Sequence, residues 1–228
     1  MKTKIIATIG PASKEYSTLK KMVDSGLDIA RINTKYGTPE EYALLLTQLK
    51  KLKCKVLFDI KGTTFLFWLK KRKFDYLAVS FAESAKQIET LRKKIGFKVK
   101  IIAKIETKKG IKNVNELIRV SDGLMIARGD LGRNVPVERV PLFQKEIIRK
   151  CNAKKKFVVT ATEMLLSMTK SKVPERAEVS DVANAILDGS NALMLSEETA
   201  IGKHPVLVVK MMERIIVETE KNKKRLKS

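Results

Sequence analysis

Short β-branched and aliphatic runs recur along the chain, and between them lie stretches whose apolar positions repeat every three to four residues. The runs predict strands at 4–9, 28–32, 55–60, 75–80, 99–105, 122–127, 157–161 and 191–195. The amphipathic stretches predict helices at 15–25, 39–52, 84–95, 114–120, 140–152, 179–188 and 205–221. Within 84–95, for example, Ile88, Leu91 and Ile95 fall at i, i+3 and i+7, one stripe of a helix.

Strands that alternate with helices argue for parallel βα units. Eight such units in roughly 200–250 residues is the size of a (β/α)8 barrel. An open doubly wound sheet is the alternative, but no GxGxxG or GxxxxGK[ST] pattern follows the first strand, so the barrel is expected. Residues 1–220 are expected to form this single α/β barrel domain, followed by a basic tail at 221–228. One connection is short: residues 61–74 must join the third strand to the fourth, leaving room for a loop and one abbreviated helix.

Composition narrows the chemistry. The 228 residues are 44% hydrophobic, enough for one sizeable core. Lys and Arg number 47 against 25 acids, a formal net charge of +22. The lysines are spread in pairs over predicted helix surfaces, and the densest clusters carry no interleaved aromatics for base stacking, so nucleic acid is not the expected partner. Anionic small molecules gain from such a field. The single histidine, His204, excludes a multi-His metal site, and Cys54 and Cys151 lie too far apart in sequence for a zinc cluster or a disulfide-stapled fold. No apolar run reaches the roughly 18 residues that span a bilayer. The amino-terminal apolar stretch is too short for a signal peptide, and a cytoplasmic location is expected.

In a barrel the site is built at the carboxyl ends of the strands. Read in order, those ends carry Thr8, Arg31 and Asn33, Asp59 and Lys61, Ser80, Lys104 and Glu106, Arg128-Gly129-Asp130, Thr160 and Thr162, and Ser196-Glu197-Glu198. Cations, carboxylates and hydroxyls without histidine suit a divalent metal plus an anionic substrate. Glu106 and Asp130 are candidate ligands for a hard ion such as Mg²⁺. Arg31, Lys61 and Lys104 are candidates for phosphate or carboxylate oxygens.

These residues sit in blocks that resemble the pyruvate kinase family: KIIATIGPAS at 4–13, GLDIARIN at 26–33, KIIAKIET at 100–107, SDGLMIARGDLG at 121–132, VVTATEMLLSM at 158–168, and the long block at 174–205 containing RAEVSDVANAILDG. The resemblance implies a TIM barrel of the PEP/pyruvate-binding type and Mg²⁺- or Mn²⁺-dependent transfer of a phosphoryl group from phosphoenolpyruvate (PEP) to ADP, giving pyruvate and ATP in glycolysis. It implies Glu106 and Asp130 as metal carboxylates, Lys104 as stabiliser of the transferring group, and Arg31 on the PEP phosphate. Gly129, Asp130 and Thr162 would hold the PEP carboxylate, with Ser196 and Glu198 in support.

The departures from the family pattern are as informative. Of the family's monovalent-cation ligands Asn33 and Asp59 remain, while Lys35 and Ile60 replace the other two. A Lys35 ammonium in the potassium position would make added K⁺ unnecessary. On the nucleotide side Tyr36 stands for the family histidine, and the segment starting at Lys61 loses a terminal arginine. Neither the family's lid domain after the third strand nor its carboxyl-terminal domain is expected here. Trp68 or Phe67 could then serve adenine, and Lys70 to Lys73 the ADP phosphates. The alternatives are a PEP- or pyruvate-binding barrel with oxaloacetate decarboxylase-type enolate chemistry, or a non-catalytic partner subunit. A homo-oligomer is compatible with either.

Overall fold

A computed structural model of the chain describes residues 3–96, 98–223 and 225. Eight strands pair in parallel and in sequence order, and the first closes onto the last. They are β1 (Lys4–Thr8), β2 (Ile29–Asn33), β3 (Lys55–Ile60), β4 (Tyr76–Val79), β5 (Lys100–Ile105), β6 (Gly123–Ala127), β7 (Phe157–Ala161) and β8 (Ala192–Leu195). The helices are α1 (Tyr16–Asp24), α2 (Pro39–Lys51), α3 (Leu66–Lys70), α4 (Ala85–Ile95), α5 (Lys108–Lys112), α6 (Val114–Val120), α7 (Arg128–Asn134), α8 (Val140–Ala153), α9 (Arg176–Asp188), α10 (Glu197–Ala200) and α11 (Pro205–Asn222). The fold is a (β/α)8 TIM barrel, as the periodicity predicts. Residues 221 and 222 of the expected tail finish α11, while 224 and 226–228 lie outside the described residues.

Two apolar layers follow from the period-two alternation of strand side chains. Ile5, Leu77, Ile101 and Val158 point outward and pack under the helices. Ile6, Ile29, Leu57, Ile102, Met125 and Val159 point inward and fill the barrel. The Tyr76 and Phe157 rings stack beneath them at 6.0 Å.

The amino-terminal end of the barrel is tied by a device that repeats. One residue before β2, β4, β6 and β8 stands Asp28, Asp75, Asp122 or Asn191. Its side-chain oxygen accepts the N–H of the second residue of the preceding strand: Ile5 at 2.9 Å, Val56 at 2.9 Å, Ile101 at 2.8 Å and Val158 at 2.8 Å. Each bond satisfies an amide where the strand ladder is just starting. Asp122 also pairs with Arg92 of α4.

Short elements absent from the sequence-based assignment crowd the opposite end: α5, α7 and α10. Each follows a strand immediately or within a few residues; α5 and α10 are five and four residues long, and α7 (RGDLGRN) has two glycines and one apolar residue, so none shows an apolar stripe. The connection from β3 to β4 does contain one abbreviated helix, α3. It is held by an aromatic cluster in which Trp68 meets Tyr42 and Phe58 edge-on at 6.0 Å each, and Phe74 meets Phe58 at 5.2 Å.

Replacing Asp122 by Ala removes an amide acceptor and an ion-pair partner together, and unfolding in urea should show a loss of about 1–3 kcal/mol. Asp24→Asn, which breaks only the exposed Lys20 pair, should leave the urea midpoint unchanged.

Candidate functional site

Two residues beyond an inward apolar position, the same barrel face turns polar. Ile29 is followed by Arg31, Leu57 by Asp59, Ala78 by Ser80, and Ile102 by Lys104 and then Glu106. A two-residue step keeps the side chain inside the barrel and moves it roughly 6–7 Å towards the carboxyl end. Hydrophobic filling therefore gives way to buried charge towards the carboxyl ends of the strands.

Asp59, only 2% exposed, is the hub of a ring of charged groups. Its Oδ2 accepts from Arg31 Nε at 2.9 Å and lies 3.0 Å from Lys104 Nζ. Its Oδ1 accepts from Lys104 Nζ at 3.1 Å and from Ser80 Oγ at 3.3 Å. Arg31 reaches Thr8 Oγ1 at 2.8 Å on its other side. Lys104 Nζ also donates to Ser80 Oγ at 3.0 Å and stands 3.0 Å from Glu106 Oε1. Burial alone pushes the Asp59 carboxyl up, but Arg31 and Lys104 outweigh it and hold the group below the ordinary carboxylate range. Glu106 goes the other way. It is 1% exposed, and burial raises its carboxyl despite Lys104 and a 2.5 Å bond from the Phe81 N–H.

Above this ring opens a cavity of about 650 Å³. Its far wall comes from the β6 and β7 ends. Gly129 and Asp130 lie in the first turn of α7, and the Gly129 N–H donates to Thr162 Oγ1 at 2.8 Å. Ser196, Glu197 and Glu198 close the wall from β8. Glu198 is fully buried and holds two loops together, accepting from Ser196 N at 2.6 Å and Leu165 N at 3.2 Å.

The structure thus brings Arg31, Asn33, Asp59, Lys61, Lys104, Glu106, Gly129, Asp130, Thr162, Ser196 and Glu198 to one cavity. Thr160 is not among them. It lies between two inward-facing positions, so it points outward and bonds Ser190 Oγ at 2.8 Å. Lys35 is exposed, with its ammonium 5.3 Å from the centroid of the Tyr36 ring, so it is not the charge beside Asp59; Arg31 and Lys104 are. Trp68 is taken by the aromatic cluster and by Arg72, whose guanidinium lies 3.5 Å above its ring, and Phe67 is 74% exposed under Lys71. Neither lines the cavity. Tyr36, Phe65 and Phe81 do, and Lys61 Nζ sits 5.2 Å from the Phe81 centroid. Phe65 and Phe81 escaped the sequence reading because an aromatic beside a strand end looks like core.

The donor atoms suit a hard divalent cation. Glu106 and Asp130 offer carboxylate oxygens from adjacent barrel units; Asp130 is 44% exposed on its side chain, whose Oδ1 lies 3.5 Å from Arg133 Nη1. Ser196 Oγ is buried in the same wall and has no hydrogen-bond partner among the described residues. No group of three or more His, Cys, Asp and Glu forms among the described residues. Two carboxylates with further places for water and substrate oxygens is a set that Mg²⁺ accepts.

The barrel-domain model of pyruvate kinase matches residues 1–66 and 60–209. The chain belongs to the pyruvate kinase family. It is 33% identical to a pyruvate kinase of Thermococcus litoralis across 99% of this chain and 71% of that relative. That alignment runs over 337 positions, although the chain has 228 residues. Over 150 residues it is 49% identical to a pyruvate kinase of Geobacillus stearothermophilus and 45% to one of Thermotoga maritima, covering 64% of this chain in each case. Those matches span only 26% and 32% of the relatives' lengths. The two matched segments of the family model meet at 60–66, the junction between β3 and α3.

Asp59→Asn leaves Arg31 and Lys104 facing a neutral amide, and the loss in urea unfolding should be about 3–5 kcal/mol. Because the folded carboxyl lies below its unfolded value, its contribution is complete above about pH 4–5 and disappears as pH falls through the folded value. The gap between wild type and variant should therefore be constant from neutral pH down to about pH 5 and narrow in stronger acid.

Proposed function

We propose that this barrel is a minimal pyruvate kinase-type phosphotransferase, passing the phosphoryl group of PEP to ADP. The observation that carries the reading is the buried Arg31–Asp59–Lys104–Glu106 ring on the floor of an open polar cavity. Its opposite wall is built from the first turn of α7 and Thr162, joined by the Gly129 N–H to Thr162 Oγ1 bond.

Arg31, fixed by Asp59 and Thr8, presents a guanidinium to the PEP phosphate. The first-turn amides of Gly129 and Asp130, with Thr162 Oγ1, would receive the carboxylate, the Gly129 N–H turning from Thr162 Oγ1 to the substrate. Glu106 and Asp130 would hold Mg²⁺ or Mn²⁺. A divalent ion there supplies charge neutralisation to substrate oxygens. As the phosphorus–oxygen bond breaks, negative charge collects on the enol oxygen, and Lys104 Nζ is the ammonium placed to offset it. The methylene carbon then takes a proton from a water held beside Thr162. Asp59 has both oxygens engaged by cations and Ile60 offers none, so this reading requires no K⁺. Tyr36, Phe65 and Lys61 form the nucleotide side. With no lid after β3, ADP binding is weak. The setting is cytoplasmic glycolysis.

Pyruvate formation from PEP, ADP and Mg²⁺ tests this directly. Turnover is expected in wild type, with kcat reduced by about 10²–10³ in Lys104→Met. Exchanging NaCl for KCl should leave the rate unchanged. Mg²⁺ should raise the melting temperature of wild type and not that of Glu106→Gln. Oxaloacetate consumption without nucleotide would identify the lyase, and PEP binding with no turnover would identify a non-catalytic barrel.

A further inference from the structure

Two consecutive non-glycine residues at the cavity wall, Thr162 and Glu163, have φ of +72° and +53°. Side chains crowd the backbone in this left-handed region, so a pair of such residues persists only where the surroundings enforce it. The enforcing group is visible. Arg128 directs Nε and Nη2 at the Thr162 carbonyl, at 3.2 and 2.7 Å, and Nη2 reaches the Glu163 carbonyl at 3.2 Å and Met164 Sδ at 3.0 Å. The guanidinium is itself held from two helices. Asp181 of α9 takes Nη1 at 2.8 Å (Oδ1) and 2.7 Å (Oδ2), and Gln144 of α8 takes it at 3.3 Å.

We infer that Arg128, locked by Asp181, is a positioning residue that sets the substrate-carboxylate site by fixing the Thr162–Glu163 backbone. The carbonyls fix where Thr162 Cβ points. That direction places Oγ1 on the Gly129 N–H, joining the β7 loop to the first turn of α7. Only a planar fork spans both carbonyls and a carboxylate at once; a lysine offers a point charge. The arrangement also links the cavity wall to α9, because a shift of Asp181 is transmitted through a single side chain. The kinetic part of this inference rests on the proposed function; the geometric part does not.

Hydrogen exchange of the Gly129 amide reads the clamp without any turnover. It should accelerate at least about tenfold in Arg128→Lys and in Asp181→Asn, since an opened bond exposes the amide. Asp188→Asn, which breaks the Lys145 pair elsewhere on α9, should leave it unchanged. With PEP as substrate, both clamp variants should raise KM by about tenfold with kcat changed less than about threefold, the pattern of lost ground-state binding. If Arg128→Lys does not fold, Asp181→Asn carries the test. Unchanged Gly129 exchange in the clamp variants, or equal acceleration in Asp188→Asn, overturns the inference. A wild type that ignores PEP refutes the kinase reading and leaves the exchange result to decide the clamp.

Discussion

One buried carboxylate organises the reactive end of this barrel. Asp59 faces two cations that would otherwise repel each other in a poorly solvated space, and its charge makes their approach favourable. Removing water from three charged groups costs several kcal/mol for each, and the geometry offsets that cost only because every oxygen of Asp59 is bonded. Thr8 and Ser80 satisfy remaining valences of Arg31 and Lys104. The result is a pair of cations held in fixed positions before any ligand arrives, a preorganised setting for an anion.

The same ring leaves Glu106 in a different state from Asp59, although the two carboxylates share Lys104. Asp59 has two cationic neighbours, and Glu106 has one plus a backbone N–H. Burial dominates at Glu106, so its charge is poorly compensated. A carboxylate in that condition attracts a further cation, and the cavity above it has room for one.

The β3–β4 connection shows how a barrel can dispense with a large insertion here. Tyr42, Phe58, Phe65, Trp68 and Phe74 pack edge to face and anchor α3 against the outside of the strands. Phe65, Trp68 and Phe74 are thereby committed to packing, Phe65 also reaches the cavity, and Phe67 stays exposed. Basic groups follow them outward, Arg72 over Trp68 and Lys71 over Phe67, so the surface stays polar where a hydrophobic join would be exposed.

Periodicity determined the eight strands and the long helices, because burial on a strand or helix face leaves a two- or 3.6-residue imprint. Strand-end position likewise marked Arg31, Asp59, Lys104 and Glu106, since a two-residue step from an apolar inward position stays inside the barrel. The short elements α5, α7 and α10 left no imprint, since four to seven residues span at most two turns and α7 carries a single apolar side chain, Leu131. Tertiary structure alone decided who pairs with whom. Lys35 and Lys104 are both lysines near the family's cation position, yet only Lys104 projects from a strand into the barrel, while Lys35 leaves from a turn after β2. Trp68 and Phe65 are three residues apart, and only packing against Tyr42 and Phe58 sets which one faces the cavity. Thr162 was legible as a strand-end hydroxyl. Its left-handed backbone and the Arg128 that holds it were not, because both depend on groups from α8 and α9 that meet only when the barrel is closed.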